Sequence, residues 1–127
     1  MAIRTELTLR LANSPGALGG VCRLLSEGRI NLTAMALDGG GLLRMVVDNH
    51  VHAAGVLRER HHHVTERDVL VLPLSNGPGA LAPILQLVVD AGINIDYAYG
   101  GASETSATAL VVLGVDDAPR AASAAGV

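Results

Sequence analysis

The sequence predicts an α+β fold built from two ferredoxin-like repeats, each a β-α-β-β-α-β unit with both helices on one face of an antiparallel sheet. Three observations lead to this prediction: an internal repeat, apolar residues at every second position in short segments, and apolar residues at helical spacing between them. Residues 11–32 align with residues 74–95 at an offset of 63 without a gap, and nine of the 22 pairs are identical.

The same order of elements follows from the residues of each repeat. Leucines recur at every second position over 7–11 and 70–74, which predicts an opening strand. Apolar residues then recur at helical spacing, and these are Leu18, Val21, Leu24 and Leu25 in one repeat and Leu81, Ile84, Leu85 and Val88 in the other. Gly28 and Gly92 end these helices. A hairpin follows (30–37 with 42–47, and 93–99 with 109–115), and a second helix starts near Asp48 or Asp116.

We expect the first repeat to span residues 1–66 and the second to span residues 67–127, with a long shared strand near 64–74. No residues remain for a final strand, so the second repeat is expected to lack its last strand. It would then borrow a neighbour for the open sheet edge, either from the other repeat or from another subunit. Its helix-free face is expected to be apolar and buried against a second sheet, since it would carry Val69, Val71, Pro73, Leu110 and Val112.

Composition narrows the classes of function. Half of the residues are hydrophobic and 17% are charged, which is enough apolar material for a core. A net charge of -3 and an aromatic content of two tyrosines argue against a nucleic-acid partner. No apolar run reaches the roughly 18 residues of a membrane span. Because Cys22 is the only cysteine, no intrachain disulfide can form, and the expected location is the cytoplasm.

Both repeats carry an Asn-x-Pro-Gly-Ala-Leu motif before the helix, at 13–18 and 76–81, and an Ile-Asn pair after it, at 30–31 and 93–94. With these motifs the chain resembles the ACT domain family, and in particular its small stand-alone tandem members. The resemblance covers nearly the whole chain and includes no catalytic domain. It implies a free amino acid as effector, bound where ACT units pair, and oligomers built by aligning sheets. The missing last strand departs from the family pattern.

An amino acid offers a carboxylate and an ammonium group, and a helix start offers unpaired N–H groups with a partial positive charge. We expect Pro15 and Pro78 at the first helical position, which leaves the following N–H groups free. Asparagine side chains can bind either end of the ligand. The candidate binding residues are Asn13, Ser14, Gly16, Ala17, Leu18 and Asn31 in repeat one, and Asn76, Gly77, Gly79, Ala80, Leu81 and Asn94 in repeat two.

The loop of repeat two is expected to be the better site. Ser14 stands where a capping residue would, and its hydroxyl could occupy the free donors, whereas Gly77 cannot. Pro83 lacks an N–H group, which leaves the carbonyl of Gly79 free to accept from an ammonium. Two alternatives stay open: the loops can be plain turns, and Asn31 and Asn94 can bond neighbouring backbone.

Other residues carry less functional signal. The histidines at 50, 52 and 61–63 lie at opposite ends of one helix, so no metal site is expected from them. Tyr97 and Tyr99 are expected on the core face with Ile93 and Ile95, where they could also wall a pocket. Cys22 falls on the apolar side of its helix, which suggests a core residue. No motif for catalysis or for a cofactor is present.

Three functions remain in competition. The first is a non-catalytic regulator that binds an amino acid and signals to a partner enzyme. The second is a constitutive oligomerisation module for a partner enzyme, with no small-molecule ligand. The third is a small enzyme on a ferredoxin-like frame, and the fold alone does not decide among them. The sequence favours the first, as a homodimer.

Overall fold

The computed structural model describes residues 2–127 and contains the order β-α-β-β-α twice, which confirms the predicted fold class. The elements are β1 (Ile3–Arg10), α1 (Ala17–Glu27), β2 (Leu32–Leu37), β3 (Leu42–Val47), α2 (His50–Glu59), β4 (Thr65–Ser75), α3 (Ala82–Asp90), β5 (Ile95–Gly101), β6 (Thr108–Val115) and α4 (Ala118–Ala125). No strand follows α4 in the described chain.

The chain forms two compact units. The first comprises residues 5–67, and the second comprises residues 68–127 together with the described residues 2–4. β1 and β4 each contribute residues to both units, because β1 begins at Ile3 and β4 begins at Thr65. β4 is 11 residues long, which lets one strand serve two units.

In the first unit, β3 lies between β2 and β1 and pairs with both in antiparallel fashion. Leu9 lies opposite Leu43, and Met35 lies opposite Met45, so apolar side chains share one face of the sheet. α1 and α2 cover this face, because their apolar residues recur at helical spacing. The buried core of the unit consists of Leu7, Leu9, Val21, Leu25, Ile30, Leu43, Met45, Val47, Ala53, Ala54, Leu57 and Val64.

In the second unit, β6 lies between β4 and β5 and is antiparallel to both. α3 and α4 cover one face, and the core consists of Leu70, Leu72, Val88, Ile93, Leu113, Val115, Ala118, Ala121 and Ala122. The backbone N–H of Val71 in β4 donates to the carbonyl of Ala2 at 2.8 Å. Ala2 therefore supplies a hydrogen bond to the strand edge of the repeat that lacks a last strand.

The predicted placement of Tyr97 and Tyr99 on the core face is wrong. The pairing of β5 with β6 shifts register between Ile95, opposite Val115, and Tyr97, opposite Gly114. This bulge adds one residue and turns Tyr97 onto the helix-free face. A Cβ atom on Gly114 would overlap the ring of Tyr97, and the rings of Tyr97 and Tyr99 stack with centroids 6.3 Å apart. The tyrosines thus cover the helix-free face of β6.

Side chains cap the start of two helices. Asn49 Oδ1 accepts from the N–H of His52 at the start of α2, and Asp117 Oδ1 accepts from the N–H of Arg120 at the start of α4, both at 3.1 Å. These caps lie one residue after Asp48 and Asp116, near which the sequence predicts the helix starts. Each cap satisfies one of the otherwise unpaired donors of a helix start.

Candidate functional site

The loop of repeat one turns sharply before α1. The helix begins at Ala17, after Gly16 in the left-handed conformation (φ 86°), so Pro15 lies in the turn and not at the first helical position. The carbonyl of Ser14 accepts from the N–H of Ala17 at 3.3 Å. The predicted role of Ser14 as a capping residue is therefore wrong, since α1 has no side-chain cap within the described residues.

The first turn of α1 consequently keeps free donors. Gly20 N–H bonds the carbonyl of Gly16 at 2.9 Å, which closes the first helical hydrogen bond. The N–H groups of Leu18 and Gly19 lie within that turn and have no acceptor in the part of the chain that the structure describes. Free N–H groups at a helix start favour a negatively charged group.

The β2–β3 hairpin forms the opposite wall. Asp38 Oδ1 accepts from the N–H of Gly40 at 2.9 Å and from that of Leu42 at 3.0 Å, which fixes the carboxylate at the turn. Leu11 N–H donates to the carbonyl of Gly41 at 2.8 Å. A Cβ atom on Gly41 would lie 2.7 Å from the carbonyl oxygen of Leu11, so only glycine permits this approach of hairpin and loop.

An open depression of about 240 Å³ lies between these walls, and it is lined by Leu11, Ala12, Asn13, Ser14, Gly16, Ala17, Leu18, Gly19, Leu37, Asp38, Gly39 and Gly41. The free donors of the helix start lie on one side and the Asp38 carboxylate on the other. Asp38 Oδ2 is 3.9 Å from Nη1 of the half-buried Arg44, a long ion pair, while the Asp38 side chain itself is 50% exposed and stays accessible to a ligand. The depression thus offers both a place for a negative group and a place for a positive one.

The loop of repeat two is built differently. The Asn76 backbone N–H donates to Ala107 at 3.0 Å, and Asn76 Nδ2 donates to the carbonyls of Ser103 and Ser106 at 3.2 and 2.8 Å. The donors of Asn76 are therefore used to hold the 102–107 loop. α3 begins only at Ala82, so Pro78 is also outside the helix, contrary to the sequence prediction.

The backbone that follows Asn76 stays open. Gly79 has a φ of 78°, and its carbonyl accepts no hydrogen bond from any described residue. Gly77 N–H bonds the carbonyl of Ser75, whereas the N–H groups of Gly79, Ala80 and Leu81 have no acceptor within residues 2–127. Repeat two thus has donors and a free carbonyl, but its side-chain amide is already engaged.

Asn31 and Asn94 lie at the far ends of the helices from these loops. Asn31 and Asp48 form a reciprocal pair, in which the N–H of Asn31 donates to Asp48 Oδ1 and the N–H of Asp48 donates to the Asn31 carbonyl, both at 3.1 Å. Asn94 Nδ2 donates to Asp96 Oδ1 at 2.7 Å. Because α1 and α3 span about 16 and 14 Å, neither asparagine reaches the loop of its own repeat.

Sequence reasoning missed the contribution of the hairpin. Asp38 begins an Asp-Gly-Gly-Gly segment, which is a turn signal on its own. The pairing of β1 with β3, extended by the hydrogen bond from Leu11 to Gly41, brings that turn to the helix start at Ala17, which is 21 residues earlier in the chain. The contact is non-local, so no spacing within the sequence indicates it.

The described residues contain no group of three or more His, Cys, Asp or Glu side chains that could hold a metal ion. His52 instead lies against the end of α1, with its Nε2 3.1 Å from the carbonyl of Gly28. None of the described helices is long and apolar enough to cross a membrane.

Comparisons with known proteins agree with this architecture. A family model described as an ACT domain pair matches residues 1–124. A solved structure from Bacteroides thetaiotaomicron is 28% identical, with a TM-score of 0.88 over 97% of this chain and 86% of that chain. The regulatory subunits of aspartate kinase from Thermus thermophilus and Thermus flavus are 19% and 18% identical, with TM-scores of 0.70 and 0.66. These two matches cover 99% of this chain and 91% and 92% of those chains. No curated protein matches the chain significantly.

Proposed function

Since the chain belongs to the family of ACT domain pairs, we propose that it is a non-catalytic regulatory protein that binds a free amino acid and signals to a partner enzyme. The regulatory subunits of aspartate kinase from two Thermus species have the same fold, and this likeness favours a partner enzyme for this chain as well. We propose in addition that the protein is a homodimer, because the helix-free face of its second unit is apolar.

The depression of repeat one carries the proposal. An amino acid would place its carboxylate at the N–H groups of Leu18 and Gly19 and its ammonium at the Asp38 carboxylate. Both contacts are charge-assisted, and such hydrogen bonds are about twice as strong as neutral ones. Asn13 and Ser14 also line the depression, and their side chains can bind the same two groups.

The loop of repeat two remains a second proposed site. Its support is the free Gly79 carbonyl beside the free N–H groups of Gly79 and Ala80. Its hairpin carries Glu104, but no hydrogen bond among the described residues fixes that carboxylate in place as the N–H groups of Gly40 and Leu42 fix Asp38. A zwitterion would therefore bind more weakly there, and we place repeat one first, in contrast to the expectation from sequence.

Calorimetry and thermal shift with the common amino acids test the function. We expect selective binding of one or a few of them to the unmodified protein. A flat response to all, with a partner enzyme that co-purifies tightly, would replace this proposal by the constitutive oligomerisation module.

Two matched pairs of variants test the site. Gly19→Leu should fill the depression and abolish binding, while Gly20→Leu, in the same helix but outside the depression, should leave it intact. Neither glycine has a positive φ or a close neighbour, and leucine favours a helix, so both variants should fold.

Asp38→Asn keeps an oxygen for the N–H groups of Gly40 and Leu42 but removes the charge, and should weaken binding by about 1–3 kcal/mol. Asp48→Asn is the control, because Asp48 also accepts a hydrogen bond from a backbone N–H group, that of Asn31, but does not line the depression. If Gly19→Leu and Asp38→Asn bind normally while changes near Gly79 matter, the amino acid binds in repeat two.

A further inference from the structure

A second open depression, of about 420 Å³, lies between α1 and the end of α2. Three nitrogen-bearing side chains line it, and these are Arg23 from α1 and Arg60 and His62 from the turn after α2. Val21 and Leu24 give it an apolar floor, with Val21 fully buried and Leu24 half-buried. The amino-acid site proposed above does not use these side chains.

The basic side chains are available for a ligand. Those of Arg23, Arg60 and His62 form no hydrogen bond or ion pair with any other residue in the described range 2–127. The backbone N–H groups of Arg60 and His62 are used within the protein, since both donate to the carbonyl of Leu57. Glu27 is the one acidic residue among those that line the depression, so the two arginines exceed the acidic charge.

Arg58, near the end of α2, is by contrast an arginine whose contacts are structural. Its guanidinium donates to the carbonyl of Val64 at 3.0 Å and lies 3.6 Å from Glu66. Arg23 and Arg60 have no such contacts. In repeat two, the position that aligns with Arg23 holds Gln86, which donates to Asp90 at 2.7 Å. The free guanidinium of Arg23 therefore has no counterpart in repeat two.

We propose that this depression binds the phosphate group of a small phosphorylated metabolite. Guanidinium groups match phosphate oxygens in a two-pronged geometry, and two of them from different elements can hold one phosphate from both sides. The apolar floor would take the carbon part of the ligand. Gly16 and Ala17 line both depressions, so the phosphorylated ligand would lie next to the amino-acid site and influence its occupancy.

An NMR titration of the full chain, without any amino acid, tests the proposal. Inorganic phosphate and glycerol 3-phosphate should shift the amide signals of Gly16, Ala17 and His62 in a saturable way, with glycerol 3-phosphate the tighter. Glycerol, which has the same carbon part but no phosphate, should give no saturable shift. Saturable binding of glycerol, or no saturable shift at millimolar phosphate, would overturn the assignment.

Charge-matched variants separate a site from general attraction. The double variant Arg23→Gln/Arg60→Gln should lose at least about tenfold in affinity for glycerol 3-phosphate. Arg4→Gln/Arg29→Gln removes the same charge away from the depression and should keep its affinity. Equal losses in the two double variants would show nonspecific attraction and refute the site. Amino-acid binding is measured separately, so its failure would not affect this result.

Discussion

At the scale of single residues, the two repeats end their helices with the same bonds but different residues. The N–H of Ile30 reaches back to Leu25, that of Ile93 to Val88, that of His62 to Leu57 and that of Val127 to Ala122. This ending needs one residue in the left-handed conformation. Repeat two uses Gly92 (φ 75°) and Gly126 (φ 73°), whereas repeat one uses Arg29 (φ 57°) and His61 (φ 67°). Left-handed backbone costs a residue with a Cβ atom about 1–2 kcal/mol.

Arg29→Gly and His61→Gly should each stabilise the protein. The gain should be about 0.5–1 kcal/mol, since glycine relieves the steric cost but loses more backbone entropy on folding. Chemical denaturation would measure it as a higher midpoint with an unchanged slope. Gly92→Ala is the reciprocal control and should destabilise by a similar amount, because it introduces a Cβ atom at φ 75°. If Arg29→Gly and His61→Gly both destabilise the protein, this account is wrong.

Among the helices, α1 and α3 follow the same sequence motif but start at different positions, and one proline accounts for the difference. Both follow Pro-Gly-Ala-Leu, yet α1 begins at Ala17, the second residue after its proline, and α3 begins at Ala82, the fourth after its own. In α1 the N–H of Gly20 closes the first turn on the carbonyl of Gly16. Pro83 occupies the matching position and has no N–H, so the first turn of α3 must close later, from Leu85 to Leu81 at 3.2 Å.

Pro83→Ala should extend α3 toward Ala80. The new N–H would bond the Gly79 carbonyl and would remove the free acceptor from the loop of repeat two. A helical Cα chemical shift at Ala80, with slowed amide exchange at residue 83, would show the extension. The reverse change, Gly20→Pro, should delay the start of α1 by about two residues. If Ala80 keeps a non-helical shift in Pro83→Ala, the proline does not set the helix start.

At the scale of the whole molecule, the sequence allowed the fold to be predicted better than the site. The repeat and the spacing of leucines are local patterns, and they predict the order of ten elements. A bulge leaves no such pattern, so alternation alone put Tyr97 on the wrong face. The Asp38 wall also escaped prediction, because it depends on a hydrogen bond between Leu11 and Gly41, which are distant in sequence. Non-local pairing thus determines which side chains meet.

The predicted homodimer rested on two arguments, the open strand edge and the apolar helix-free face of repeat two. The structure supports only one of them. The open strand edge of repeat two is met by Ala2, whose carbonyl accepts from the N–H of Val71. On the helix-free face Val69 and Val112 are already buried within the chain, whereas Val71 and Leu110 are half-buried and Pro73 is exposed, so part of the apolar face stays uncovered. Only the apolar face therefore remains as an argument for association, and it supports packing of sheets between copies of this chain.

Val71→Asp should dissociate the proposed homodimer. A carboxylate at this face would be buried without a partner in the interface, which typically costs several kcal/mol. Sedimentation at micromolar concentration should give a dimer for the unmodified protein and a monomer for the variant, with circular dichroism to verify that the variant is folded. Val51→Asp is the matched control, because Val51 is 71% exposed on α2 and its replacement should alter neither mass nor stability. A stable monomer of the unmodified protein would remove the homodimer, and the apolar face would then be the surface to test against the partner enzyme.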